Sequence, residues 1–99
     1  MTNPLILLHG AIGSKSQYEK LDLALSEFEV HTLDFEGHGE REAAGRPFRM
    51  QHFVENTVAY MDEHNIDQAD FFGHSMGGYV ALLLASQQPG RVGKLFTFG

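Results

Sequence analysis

The sequence predicts an α/β fold with a doubly wound, mostly parallel sheet of four strands and three helices. Short apolar runs alternate with longer amphipathic segments, which gives the order βαβαβαβ. Glycine-bearing turns follow the first three of the predicted strands. No repeat or low-complexity linker interrupts this alternation, so residues 1–99 are predicted to form a single domain. Alternation of this kind implies right-handed crossovers and helices on both faces of the sheet.

The first half of the chain supplies two strands and one helix. Pro4 is followed by "LILLH", a continuous apolar run typical of a strand that is buried on both faces. Apolar residues recur at helical spacing from Ser16 to Phe28, which predicts an amphipathic helix. The segment "EVHTLD" (29–34) predicts the second strand. Glycine and charge dominate "FEGHGEREAAGRP" (35–47), so this segment is expected to be a solvated loop, with Glu36 among its charges.

The second half supplies two helices and two strands. A helical stripe that ends near Asn65 contains Met50, Phe53, Val54, Val58 and Met61. The third strand is predicted at "ADFFGH" (69–74), the third helix at 75–88 with Pro89-Gly90 as its stop signal, and the fourth strand at "KLFTF" (94–98). The chain stops directly after this strand, so it is expected to be the N-terminal part of a larger domain, truncated after strand 94–98.

Composition narrows the classes of function. The formal net charge of -6, with 42% hydrophobic and 20% charged residues, is typical of a soluble protein and argues against nucleic-acid or anionic-membrane partners. The absence of cysteine excludes disulfides, a thiolate nucleophile and cysteine zinc sites. The histidines lack ligand spacing, so no metal and no cofactor is predicted. The N-terminus has no secretory pattern and the longest apolar run is too short to span a bilayer, so a cytoplasmic location is predicted.

The segment "GHSMGG" (73–78) carries the main functional motif. Gly73, His74, Ser75, Met76 and Gly77 match G-x-S-x-G between a predicted strand and a predicted helix. In that context a strained turn exposes the serine hydroxyl, and a side chain at the glycines, Gly78 included, is expected to clash with adjoining elements. The alternatives are a simple tight loop and an anion-binding helix N-terminus.

A second turn, which begins at His9 and Gly10, follows the first strand at the same predicted edge of the sheet. Acyl transfer requires donors aimed at the developing oxyanion, and the motif draws them from the residue after the nucleophile and from this earlier loop. These donors would be the backbone N–H groups of Met76 and Ala11. His9 is expected to pack in the core or to brace the loop; the alternative is a glycine-mediated turn with a packed histidine.

Across essentially all 99 residues, the chain resembles the α/β-hydrolase superfamily. The resemblance rests on "LILLHGAIGS", "LDFEGHG" and "FFGHSMGGYVALLLA" in that order. It implies that Ser75 is the nucleophile and that Asp34, Gly37 and Gly39 are structural residues of a turn near the pocket. A serine rather than an aspartate implies hydrolysis of an ester, thioester, lactone or C–C bond, or perhydrolase-type activity, on a small-molecule acyl substrate.

The sequence departs from that family in one respect. The family's triad runs in the order serine, acid, histidine, but no aspartate, glutamate or histidine follows Ser75. His74 is adjacent to the serine and is expected to point away from it. His38 lies at the correct edge, but in the family's strand order the first strand separates it from the serine's strand. The triad acid and histidine are therefore missing, and the chain alone is expected to be inactive or very weak.

Two interpretations remain open. The chain is the N-terminal portion of a serine hydrolase, or it is a non-catalytic, flavodoxin-like binding or interaction module that retains the elbow. In the second case, in which the 99 residues are the whole product, the last strand, 94–98, would present an apolar edge that can pair with another chain. This predicts self-association or a complementing C-terminal part.

Overall fold

Within residues 4–10, 29–38, 45 and 49–98, which the computed structural model describes, the sheet has four parallel strands. The strands are β1 (Leu5–Leu8), β2 (Val30–Thr32), β3 (Ala69–His74) and β4 (Val92–Phe98), arranged in the order β2-β1-β3-β4. The helices are α1 (Met50–Glu63) and α2 (Met76–Gln87), and a 3₁₀ turn, Pro89–Arg91, precedes β4. The predicted α/β class and the parallel sheet are confirmed.

The predicted element bounds agree closely with the structure. β3 spans the predicted residues 69–74, whereas β4 begins at Val92, two residues before the predicted start. Helix α1 ends before Asn65, as predicted, and Asn65 adopts a left-handed conformation with φ of 55°. The helix predicted from Ser16 to Phe28 lies outside the described residues.

Strand β1 is the interior strand from which the site is built. It pairs with β2 on one side and with β3 on the other, and its last residue, Leu8, is opposite Gly73 of β3. Ile6, Leu7 and Leu8 all have no exposed surface, although consecutive side chains point to opposite faces. The apolar run therefore predicted correctly that β1 is buried on both faces.

The two helices pack against each other and share one core with the sheet. Ile6 and Leu8 of β1 and Phe71 of β3 contribute the strand side of this core. The helical side consists mainly of Phe53, Val54 and Met61 from α1 and Val80, Ala81 and Leu84 from α2. Met50, which was placed on the predicted apolar stripe, is 40% exposed because it lies in the first turn of α1, beyond the core.

Helix α2 is apolar on almost every side. Val80, Ala81 and Leu84 face the core, while Tyr79 is 68% exposed and Leu82 is 51% exposed. A helix without a polar face is typical of one that is surrounded by other elements. Even so, no helix among the described residues combines the length and apolar character that crossing a membrane requires.

Candidate active site

Ser75 occupies a sharp turn between β3 and α2. Its backbone has φ of 53° and ψ of −112°, a region that costs on the order of 1–3 kcal/mol for a residue with a Cβ. Helix α2 begins immediately afterwards, because the Gly78 and Tyr79 N–H groups both donate to the Ser75 carbonyl, at 2.9 and 3.3 Å. The Ser75 side chain is exposed and its hydroxyl does not cap α2. The hydroxyl is thus presented at the carboxyl edge of the sheet.

Close backbone contacts explain the glycines around Ser75. A Cβ on Gly73 would lie 2.5 Å from the carbonyl carbon of Gly77, and a Cβ on Gly77 would overlap the Leu8 carbonyl oxygen. A Cβ on Gly78 would come within 3.1 Å of the Thr97 Cβ on β4. The first turn of α2 therefore rests directly on the backbone of the sheet, which only residues without side chains permit.

The end of β1 and the start of α2 lie beside Ser75 at this edge of the sheet. The Leu8–Gly73 pairing brings the end of β1, and with it His9 and Gly10, level with the turn. A Cβ on Gly10 would lie 3.1 Å from His74 Nδ1, so the half-buried His74 ring covers Gly10. Met76 is the first residue of α2, and its N–H has no acceptor inside the helix. Ala11 lies outside the described residues.

His9 is fully buried and both of its ring nitrogens are engaged. The Phe35 N–H donates to Nε2 at 3.1 Å, and Nδ1 lies 2.7 Å from the Gly10 carbonyl oxygen. An Nε2 that accepts must be unprotonated, so the proton sits on Nδ1 and is donated to Gly10. Burial lowers the pKa of His9 from 6.5, and the nearby His38 lowers it further, against opposing contributions from the Gly10 hydrogen bond and Asp34. The site therefore holds His9 as a neutral imidazole.

The turn after β2 lies beside the His9 ring. Asp34 is buried, with 8% exposed, and Gly37 has φ of 76°, a conformation that suits glycine. The turn is closed by the His38 N–H, which donates to the Phe35 carbonyl at 3.0 Å. The ring of His38 packs against His9 and against Phe53 of α1, with centroids 5.2 and 5.5 Å apart. As expected, β1 separates this turn from the serine's strand. Gly39 lies outside the described residues.

Glu36 departs from the prediction of a solvated loop charge. It is only 2% exposed, because Asn56 of α1, itself 4% exposed, holds it through two hydrogen bonds. The Glu36 N–H donates to Asn56 Oδ1 at 2.8 Å, and Asn56 Nδ2 donates to Glu36 Oε1 at 2.9 Å. Asn56 sits three residues after Phe53 on the buried side of α1, and a polar residue at such a position was the available sequence signal. The pair fixes the β2 turn to α1.

Potential metal ligands do not cluster in the part of the chain that the structure describes. No group of three or more histidine, cysteine, aspartate or glutamate side chains there is arranged to hold a metal ion.

Comparison with known proteins identifies the family. The family model described as alpha/beta hydrolase fold matches residues 3–99. The chain belongs to the α/β-hydrolase family. The α/β-hydrolase structure of an esterase from a marine microorganism superposes with a TM-score of 0.91 at 28% identity, over 98% of this chain and 37% of that one. The enol-lactonase from Burkholderia xenovorans LB400 gives a TM-score of 0.89 at 28% identity, over 96% and 37% of the two chains.

One curated relative of the chain is named as an acetyltransferase rather than as a hydrolase. Ethanol acetyltransferase 1 of Hanseniaspora uvarum is 33% identical over 90 residues, which cover 87% of this chain and 26% of that protein. The chain spans about a quarter to a third of the length of the curated relatives it matches. The proteins that the chain matches thus include an esterase, an enol-lactonase and an ethanol acetyltransferase.

Proposed function

We propose that Ser75 is the nucleophile of a serine acyl hydrolase and forms an acyl-enzyme with a small ester, thioester or related acyl substrate. The observation that carries the proposal is the backbone of Ser75, which is held at φ of 53° and ψ of −112° on an exposed turn. Strain of this kind persists only where the surrounding structure enforces it, and it clusters at reactive positions. Here the enforcing contacts are those of the glycines against β1 and α2.

The chemistry follows the usual course of acyl transfer. Ser75 Oγ bonds to the substrate carbonyl carbon while its proton passes to a base, and the carbonyl π electrons move to oxygen. The resulting oxyanion accepts hydrogen bonds from the Met76 and Ala11 N–H groups; the N-terminal end of α2 also favours the negative charge. Collapse of this intermediate expels the alcohol or thiol with a proton. Water then attacks the acyl-enzyme and releases the acid.

The base and its acid partner are assigned to residues outside this sequence. No aspartate, glutamate or histidine follows Ser75, and the relatives are three to four times longer. Removal of the base from a serine hydrolase lowers turnover by about 10⁶-fold, so the 99-residue chain on its own is expected to be close to inactive. The competing interpretation, a non-catalytic module, predicts that the complete gene product is equally inactive.

A fluorophosphonate probe tests the proposal, because it adds covalently only to an activated serine. The complete gene product should gain one adduct that maps to Ser75, and Ser75→Ala should abolish it. Ser86→Ala is the matched control, since Ser86 is an exposed serine on the same helix whose hydroxyl donates to the Leu83 carbonyl. An unmodified wild-type protein would favour the non-catalytic module.

Acyl transfer to an alcohol is a second candidate, supported by the 33% identity to an ethanol acetyltransferase. The two functions share the acyl-enzyme and differ only in whether water or an alcohol attacks it. Incubation with an acetyl thioester in the presence of ethanol distinguishes them. An alcohol acetyltransferase gives mainly ethyl acetate, whereas a hydrolase gives acetate with little response to ethanol.

The edge of β4 is the proposed site of association with another chain or with a complementing C-terminal part. β4 is the last strand of the described sheet, and Phe96 on it is 54% exposed. An open edge leaves backbone donors and acceptors for a further strand. The isolated 99-residue chain is therefore expected to self-associate in light scattering. A strictly monomeric species at high concentration would contradict this.

A further inference from the structure

Three side chains with complementary hydrogen-bonding groups meet between β2 and the C-terminal half of α1, namely Glu29, His31 and Tyr60. His31 Nδ1 lies 2.8 Å from the Tyr60 hydroxyl oxygen, and His31 Nε2 lies 2.8 Å from Glu29 Oε2. His31 pairs with Ile6 of β1, and β1 separates β2 from the strand that leads to Ser75. The group is therefore distinct from the candidate active site.

The hydrogen bonds of His31 have a defined direction. An ionised carboxylate only accepts hydrogen bonds, so Nε2 carries a proton that it donates to Glu29. In the neutral imidazole Nδ1 is then the unprotonated nitrogen, and the Tyr60 hydroxyl donates to it. A hydroxyl that donates to an imidazole, which is itself oriented by a carboxylate, is the arrangement in which a base activates a nucleophile.

We propose that Tyr60 is a nucleophilic site for activated acyl and sulfonyl groups, with His31 as its base and Glu29 as the group that orients the base. With a sulfonyl fluoride, Tyr60 Oη bonds to sulfur, the sulfur–fluorine bond breaks, and fluoride leaves. The hydroxyl proton passes to His31 Nδ1 and then to water. An activated acyl donor reacts in the same way at its carbonyl carbon. The proposal does not depend on the function proposed for Ser75.

Packing holds Tyr60 in place while the other end of the group faces water. The Tyr60 ring packs against the hydrophobic core and stacks on His64 with centroids 4.0 Å apart and planes inclined by 19°. The His31 side chain is 16% exposed and that of Glu29 is 67% exposed. The hydroxyl is therefore fixed beside its base, and a proton taken up by His31 has a route to solvent.

Tyr60 depends on this base because its own ionisation is unfavourable. Burial raises the pKa of Tyr60, and the negative charge of Glu29 raises it further. Little phenolate is therefore present at neutral pH, and the hydroxyl must lose its proton while it attacks. Tyr79 provides the comparison within the same molecule, because it is 68% exposed.

The test is the rate at which p-toluenesulfonyl fluoride labels each tyrosine, mapped by peptide mass spectrometry at neutral pH. The complete gene product carries Ser75→Ala, so that no label at the proposed active-site nucleophile contributes and failure of the proposed function leaves the test intact. Tyr60 should be labelled faster than the more exposed Tyr79. Its labelling should also be slower in D₂O than in H₂O, because a proton moves in the same step.

His31→Asn separates the base from the hydrogen bond. The amide oxygen of asparagine can accept from the Tyr60 hydroxyl but cannot take up its proton, so labelling of Tyr60 should fall by about 10²-fold while that of Tyr79 stays unchanged. His64→Asn is the matched control, since His64 contacts the ring of Tyr60 and its carbonyl but not its hydroxyl, and it should retain most of the rate. Unfolding midpoints confirm that each variant is folded.

Three results would overturn the proposal. The first is labelling of Tyr60 no faster than that of Tyr79 in the protein with both histidines intact. The second is an unchanged rate at Tyr60 in folded His31→Asn. The third is an equal loss in His31→Asn and His64→Asn, which would show that packing around the ring, and not proton transfer to His31, determines the reactivity.

Discussion

Gly73→Ala should both destabilise the protein and slow its chemistry, because the new methyl group would meet backbone rather than flexible side chains. The added Cβ would lie 2.5 Å from the carbonyl carbon of Gly77 and from the Gly78 nitrogen. Carbon atoms without a bond between them settle at about 3.5 Å or more, so the first turn of α2 must retreat by about 1 Å. Overpacking of this kind costs up to about 3 kcal/mol in the free energy of unfolding.

The same displacement carries Ser75 and Met76 away from their positions relative to β1. A misplacement of about 1 Å at a reacting group lowers the rate by on the order of 10²-fold. The assay is a urea unfolding curve together with the rate of fluorophosphonate labelling, both on the complete gene product. Gly90→Ala is the control, since no described atom lies within 4 Å of a Cβ there, and its stability should change by less than about 0.5 kcal/mol. If Gly73→Ala matched Gly90→Ala in both measurements, the inferred role of the close backbone contact would be refuted.

Three further predictions concern the stability of the folded protein and involve Ser75, His9 and Asn56. Ser75→Gly should be more stable than Ser75→Ala by about 1 kcal/mol in thermal or urea unfolding, because only glycine adopts φ of 53° and ψ of −112° without strain; equal stabilities would contradict the strained backbone. Since the pKa of His9 is lowered from 6.5 in the folded protein, the unfolded chain takes up a proton first as the pH falls. Stability should therefore be full above pH 6.5 and fall below it by at most about 1.4 kcal/mol per pH unit, a slope that urea midpoints of His9→Asn should lack. Asn56→Asp should cost about 3 kcal/mol, since it removes the donor to the buried Glu36 carboxylate and places a second carboxylate beside it. The same amide-to-acid change at the exposed Gln51, measured in the same urea assay, should cost less than about 0.5 kcal/mol, and a similar loss at both positions would contradict this account.

Periodicity and turn chemistry predicted most of the described fold. The apolar run at Leu5–Leu8 predicted a strand buried on both faces, and the glycine-serine turn at 73–78 predicted a strand-to-helix junction. Both signals are local, since each depends on residues within a few positions of one another. The order of the strands is not local, and it was expected only from the family resemblance.

The polar interior was harder to predict because it depends on partners that are distant in the sequence. Glu36 sits in a charged, glycine-rich segment that resembles a solvated loop, yet its partner Asn56 is 20 residues away on a helix. His9 was expected to pack or to brace its loop, but its acceptance of a hydrogen bond from the Phe35 N–H depends on how β1 meets the turn after β2. No single-sequence pattern specifies such pairs.

The strain at Ser75 resides in the backbone angles φ and ψ, so it does not depend on whether the side chain ends in a hydroxyl or in another group. Unbranched residues with a Cβ would bear a similar conformational energy at φ of 53° and ψ of −112°, and β-branched residues would bear more. The strand, the turn and the first turn of α2 thus hold the backbone at position 75 in this conformation and leave its side chain exposed. The backbone strain at position 75 is therefore independent of the side-chain atom that the proposed function uses as its nucleophile.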